Sequence, residues 1–194
     1  MDGTKVKIAN PAPLGLICFG MTTILLNEHN AGILGLSAVT VAMGIAIGGL
    51  AQIIAGIFEL RQGNTFGGTA FTAYGFFWLS LVLIWLNPGK NVEPADAGSM
   101  GSYLLLWGIF TLFMFICTLR HNRALQAVFL TLVVLFFGLA LGDFTGIEMI
   151  TKVSGVVGIV CGASAVYTSV AILLKEEYGR EILPICEVRD KPLA

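Results

Sequence analysis

Between Ala124 and Leu141 the chain reads ALQAVFLTLVVLFFGLAL. The stretch holds no charged residue, and its two polar side chains, Gln126 and Thr131, follow no two-residue alternation. A strand of a membrane barrel would alternate apolar and polar positions over about 10 residues. A helix needs roughly 20 residues, apolar on every side, to cross the hydrocarbon of a bilayer. The stretch is therefore a membrane-spanning helix, and the rest of the chain follows from asking where it recurs.

It recurs five more times. Charge-free runs lie between Lys7 and Glu28, Glu28 and Glu59, Arg61 and Lys90, Asp96 and Arg120, Arg123 and Asp143, and Lys152 and Lys175. Of 194 residues, 56% are hydrophobic and 12% are charged, with a mean hydropathy of +0.86. A soluble domain carries about 25% charge, and a disordered chain is poor in apolar residues. The expectation is an all-α integral membrane bundle of six transmembrane helices. It divides into a cytoplasmic N-terminal tail (1–9), a six-helix transmembrane domain (10–175) and a cytoplasmic C-terminal tail (176–194).

With six spans the termini share one side. Lys5, Lys7, Arg61, Arg120, Arg123, Lys175, Arg180, Arg189 and Lys191 fall on it, against Lys90 and Lys152 on the other. Basic residues concentrate on the cytoplasmic side of membrane proteins, so both termini are expected there. The first span, opened by Pro11 and Pro13 without a small-residue cleavage site, reads as a retained helix.

The expected spans cover about 10–27, 36–60, 65–87, 99–119, 124–141 and 153–175. Asn10 suits a helix cap and Pro11 the first helical position, where its missing N–H is not needed. Gly44 and Gly48 form a G-x-x-x-G pair, which admits a second helix closely. Gly63-Asn64 reads as a turn and a cap. Asp143 to Lys152 reads as the last outer loop, and residues 176–194 as a charged, partly disordered tail.

No Asp, Glu, Lys or Arg lies near a span centre, although intramembrane ionisable groups mark ion relays and voltage sensors. Glu59 comes nearest and reads as a solvated helix-end acid. The polar residues within the spans are neutral, among them Thr22, Thr23, Gln52, Thr69, Thr72, Tyr74 and Ser164. Most suit helix–helix bonding or back-bonding to the i−4 carbonyl. Gln52 and Tyr74 ask for more, since each carries a large polar group at depth. Thr65, Thr69 and Thr72 share one face with Tyr74 nearby, and Phe19, Thr22 and Thr23 share another. Neutral hydroxyls and rings suit a small polar solute in a narrow pore, and hydroxyls with helix N-termini can hold an anion without trapping it.

The four cysteines form no C-x-x-C pair and read as small hydrophobes. His29 and His121 fall at opposite span ends and cannot share a metal. No protease, hydrolase or P-loop motif is present. An enzyme, a bound metal or cofactor and a nucleic-acid partner are not expected.

Asn10-Pro11-Ala12-Pro13-Leu14-Gly15-Leu16 resembles the N-P-A-P-L-G-L signature of the acetate uptake transporter family, the YaaH-like succinate–acetate permeases. Further matching blocks are Phe19-Gly20-Met21-Thr22-Thr23, Ala51-Gln52-Ile53, Gly63-Asn64-Thr65-Phe66-Gly67, Thr69-Ala70-Phe71-Thr72-Ala73-Tyr74-Gly75 and Cys161-Gly162-Ala163-Ser164-Ala165. The resemblance implies a homo-hexamer in the inner membrane of a prokaryotic cell, with a pore in each protomer for acetate and, in some members, succinate, linked to protons. It places the narrowest point of the pore at Phe19, Tyr74 and Leu132. Asn10, Gln52 and Asn64 match family positions as well. From the residues alone, a urea or short-amide channel and a non-transporting structural membrane protein stay open beside this reading.

Overall fold

A computed structural model describes residues 9–87, 89 and 92–188. Six long helices follow one another: α1 (Ala12–Asn30), α2 (Ala38–Arg61), α3 (Thr65–Leu86), α4 (Ala97–Thr118), α5 (Arg123–Thr145) and α6 (Glu148–Tyr178). Among the described residues there is no strand, only an isolated bridge between Asn122 and Glu187. Five of the helices, α2 to α6, are long and apolar enough to cross a membrane. α1 is shorter and ends on Asn27-Glu28-His29-Asn30. It packs against α2 and α6 and touches α3, burying ten of its 19 residues. A helix so enclosed need not present an apolar surface on every side.

The helix ends follow local chemistry. Asn64 caps α3 by accepting the Gly67 N–H at 3.1 Å. Asp96 and Ser99 form a reciprocal capping box at the start of α4, with bonds of 2.6 and 3.0 Å. Asn122 caps α5 through Leu125 N–H at 2.8 Å. Such caps satisfy backbone donors that the helix itself leaves free. α5 stops at Gly146, whose φ of 67° suits a residue without a Cβ.

Neighbours in sequence pack side by side, and α6 returns to α1, so the helices form a ring. Glycines set how closely the backbones approach. A Cβ on Gly162 of α6 would lie 2.6 Å from the Gly20 oxygen of α1, and one on Gly20 would lie 2.7 Å from the Gly162 oxygen. The expected Gly44/Gly48 pair seats α2 on α3. Cβ atoms there would come within 2.7 Å of Val82 and 2.8 Å of the Trp78 ring. This part of α2, Gly44–Ala51, is wound as a π-helix. α3 and α4 meet mainly through rings: Phe77 stacks on Tyr103 at 5.8 Å, and Tyr103 and Ser80 share a 2.7 Å hydrogen bond.

Three expectations need correction. Asp143 to Lys152 is not an outer loop. α5 runs on through Thr145 and α6 begins at Glu148, because Gly146 and Ile147 suffice for the turn. Lys152 pairs with Glu148 at 2.7 Å, one turn apart on α6. Residues 176–188 are not a loose tail. Tyr178 is still helical, Ile185 is buried, and the Tyr167 hydroxyl donates to the Pro184 carbonyl at 2.9 Å. Pro11 is the cap residue of α1 and not its first helical residue. Lys5, Lys7, Lys90, Arg189 and Lys191, used in the charge count, lie outside the described residues.

Candidate functional site

α1, α3 and α5 run in the same direction, so their midpoints bring Phe19, Tyr74 and Leu132 to one level inside the ring. All three are buried. The Phe19 and Tyr74 rings lie 5.9 Å apart at 52°, and Phe129 of α5 lies 6.1 Å from Tyr74. Two cavities meet here. A small one of about 20 Å³ is lined by Leu16, Gln52, Phe71, Tyr74, Val128 and Phe129, together with Phe19 and Leu132. That is room for one water. A larger one of about 200 Å³ extends toward the C-terminal ends of α1, α3 and α5, and Phe19 and Leu132 line it too. Phe19 and Leu132 therefore stand as the shared wall between the two spaces.

The larger cavity is graded. Beside that wall its lining is apolar: Leu26, Phe77, Leu81, Leu104, Leu135 and Phe136. At its far end stand Asn27, His29, Asn30, Asp143 and Thr151. Next to that end lies a shallower cleft bounded by His29, Asn30, Thr151, Glu148 and Lys152.

The expected lining residues separate into those inside this space and those elsewhere. Thr23 lines the large cavity, and its buried hydroxyl finds no partner. Gln52 lines the small one at 1% exposure, with its amide oxygen unpartnered. An unpaired buried acceptor of this kind costs about 1–3 kcal/mol, which a water or solute in the small cavity would relieve. Thr22 instead donates to the Cys18 carbonyl at 2.8 Å, and Ser164 to the Cys161 carbonyl at 2.7 Å. Thr72 presses its hydroxyl against Gly56 of α2, and Thr69 is exposed on the outside of the ring. Asn10 stands at the opposite end, donating to Glu176 at 2.6 Å and accepting from Ala12 N–H at 3.0 Å.

Tyr74 is less free than its position suggests. Its hydroxyl lies 2.9 Å from Thr111 Oγ1, and Thr111 donates its own hydrogen to the Trp107 carbonyl at 2.6 Å. A hydroxyl has one hydrogen to give, so Tyr74 is the donor to Thr111. Its donor is spent on α4. Glu59 is not a solvated acid: it is 2% exposed, with Oε2 accepting from Asn64 Nδ2 at 2.7 Å and Oε1 unpartnered. Asn64 thus clamps the end of α2 to the start of α3.

The pattern did not single out Thr111, Trp78, Phe129 or Asp143. Helical spacing held the signal for two of them. Trp78 stands four residues after Tyr74, and Leu132, Phe136, Leu139 and Asp143 step along one face of α5. Among the described residues no cluster of three or more metal-ligating side chains occurs.

Known proteins bear on this arrangement. A succinate-acetate/proton symporter of Escherichia coli, SatP, is 54% identical over 184 residues, spanning 94% of this chain and 98% of that protein. The ammonia transport outward protein 2 of Saccharomyces cerevisiae is 40% identical over 173 residues, 85% of this chain and 61% of that one. A solved structure of the bacterial acetate channel SatP superposes with a TM-score of 0.90 at 54% identity, covering 92% of this chain and 99% of that one. Residues 2–186 match the GPR1/FUN34/yaaH family, and the chain belongs to it.

Proposed function

We propose that the protein moves small carboxylates, acetate first and succinate as a larger congener, across the membrane with a proton, through a path inside each protomer. The observation that carries this reading is the pair of cavities sharing one wall at Phe19 and Leu132. The names of the bacterial relatives support the substrate class. In this reading Phe19, Leu132 and Tyr74 are the constriction. Thr23 and Gln52 are polar steps on either side of it. Thr22, Thr69, Thr72 and Ser164 serve packing, and Asn10 and Asn64 hold the inner ends of the helices.

The charge of the solute decides what crosses. Moving an ionised carboxylate into an apolar site costs far more than moving a neutral polar group, which costs about 2–7 kcal/mol. The wall offers Phe19 and Leu132 and no cation, so the acid passes more readily than the bare anion, and transport carries a proton. α1 serves as the sixth span, both termini face the cytoplasm, and the larger cavity opens outward. The protein resides as a homo-hexamer in the inner membrane of a prokaryotic cell, its exposed apolar side chains facing lipid and neighbouring copies.

The yeast relative's name favours a second reading, a pore for small neutral solutes. Uptake of labelled acetate into proteoliposomes, with unlabelled succinate, urea or ammonia as competitor, separates the two. The carboxylate reading expects acetate uptake that succinate reduces and urea does not. Uptake of the neutral solutes without acetate uptake would overturn it.

A further inference from the structure

The larger cavity holds one carboxyl group, Asp143, well away from the wall at Phe19 and Leu132. Asp143 is half-buried near the end of α5, on the face that carries Leu132 and Phe136, and it lines the cavity. Eleven residues separate it from Leu132, roughly 16 Å along a helix. Among the described residues it forms no hydrogen bond and no ion pair. The same cavity is lined by His29 and Asn30 of α1, Trp85 of α3, Met100 of α4, Leu139 of α5 and Thr151 of α6. Of these only His29 carries an ionisable group, and its Nδ1 lies 3.2 Å from the Leu34 carbonyl. Lys152 lines the adjoining cleft and is paired with Glu148.

A carboxylate without a cation is an odd lining for a cavity that receives carboxylates. Two like charges in one partly desolvated space disfavour joint ionisation, and such a pair holds a proton between its members. An anion entering beside an ionised Asp143 would be repelled. An anion entering beside a protonated one gains a charge-assisted O–H···O⁻ bond.

We propose that Asp143 is the proton-binding residue of the larger cavity, and that an incoming monocarboxylate binds by sharing one proton with its side chain. This rests on the carboxylate reading above. The proton count balances: Asp143 is ionised in the empty cavity, one proton enters from the solvent together with the carboxylate and bridges the two carboxyls, and it leaves with the solute as its acid toward Phe19 and Leu132. Asp143 is then ionised and takes up the next proton from the same side. No other bond forms or breaks.

The test measures proton uptake in weakly buffered solution at pH 7 when acetate is added to the purified protein, in wild type and in Asp143→Asn. The amide supplies a neutral donor of nearly the same shape. Wild type is expected to take up about one proton per acetate bound, and D143N close to none while still binding acetate. As a second readout, acetate uptake into proteoliposomes is expected to be electroneutral in wild type and to slow in D143N, because the bound anion then reaches the wall at Phe19 and Leu132 without its proton. Proton uptake by D143N equal to wild type would overturn the assignment, as would its loss in His29→Gln or Glu59→Gln with D143N unaffected. Failure of wild type to bind acetate would overturn the carboxylate reading, and the assignment with it.

Discussion

Leu132→Ala is the sharpest perturbation of the wall between the cavities. Leu132 is 3% exposed and borders both spaces. Truncating it removes most of one side of the wall and joins about 20 Å³ to about 200 Å³. Water then follows the solute through a zone where the wild type offers only Phe19, Leu132 and an already committed Tyr74 hydroxyl. Keeping one hydrogen bond to water during passage is worth about 1–1.5 kcal/mol, which corresponds to roughly tenfold in rate. Losing a buried leucine costs stability at the same time, about 2–5 kcal/mol as in other packed cores. The assay is initial uptake of labelled acetate and of butyrate into proteoliposomes, normalised to folded protein. We expect acetate uptake to rise by about tenfold and butyrate, excluded or slow in wild type, to become a substrate. Unchanged rate and unchanged size preference in both Leu132→Ala and Phe19→Ala would refute the wall.

Three further outcomes follow from named contacts. Tyr74→Phe should leave the acetate KM within about threefold, because the hydroxyl bonds Thr111 and not the solute, and should lower stability by about 1 kcal/mol; a loss of acetate affinity beyond tenfold would show that the hydroxyl turns to the solute. Gly162→Ala places a Cβ 2.6 Å from the Gly20 oxygen and should destabilise the α1–α6 crossing by about 1–3 kcal/mol, read as thermal unfolding in detergent. Asp96 accepts the Ser99 backbone N–H, which holds its carboxyl below its usual 3.8. Because the folded value is the lower one, its stabilisation is complete above that pH and is lost as pH falls through the folded value. Unfolding temperature should therefore drop in acid more steeply for wild type than for Asp96→Asn.

The helices were legible because a bilayer makes a single demand on sequence, and the gaps between charges answer it. Where they ended was harder to read. Asp143 and Lys152 looked like loop residues because they are charged, yet Gly146 makes the turn in so few residues that both stay helical. The same error hid Asp143 from the site. α1 was legible as a helix, but its Asn27-Glu28-His29-Asn30 end is explained only by the cover that α2 and α6 give it. Phe19 and Tyr74 fall on or near faces that helical spacing marks, and both line the small cavity where α1, α3 and α5 come to one level. Leu132 came from family likeness alone, because one leucine among many on α5 carries no mark until the facing helix is known. Thr69 and Thr72, on the face picked beside Tyr74, turn away from the cavities. Period identifies a face but not the neighbour it meets.

The most direct test of the central claim is acetate uptake into proteoliposomes with and without an imposed pH gradient, acid outside, in wild type. Transport of a carboxylate with a proton through this path predicts uptake above the equilibrium level when the outside is acid, collapsing when a protonophore removes the gradient. Equal uptake with and without the gradient, at a rate no greater than protein-free vesicles, would contradict it.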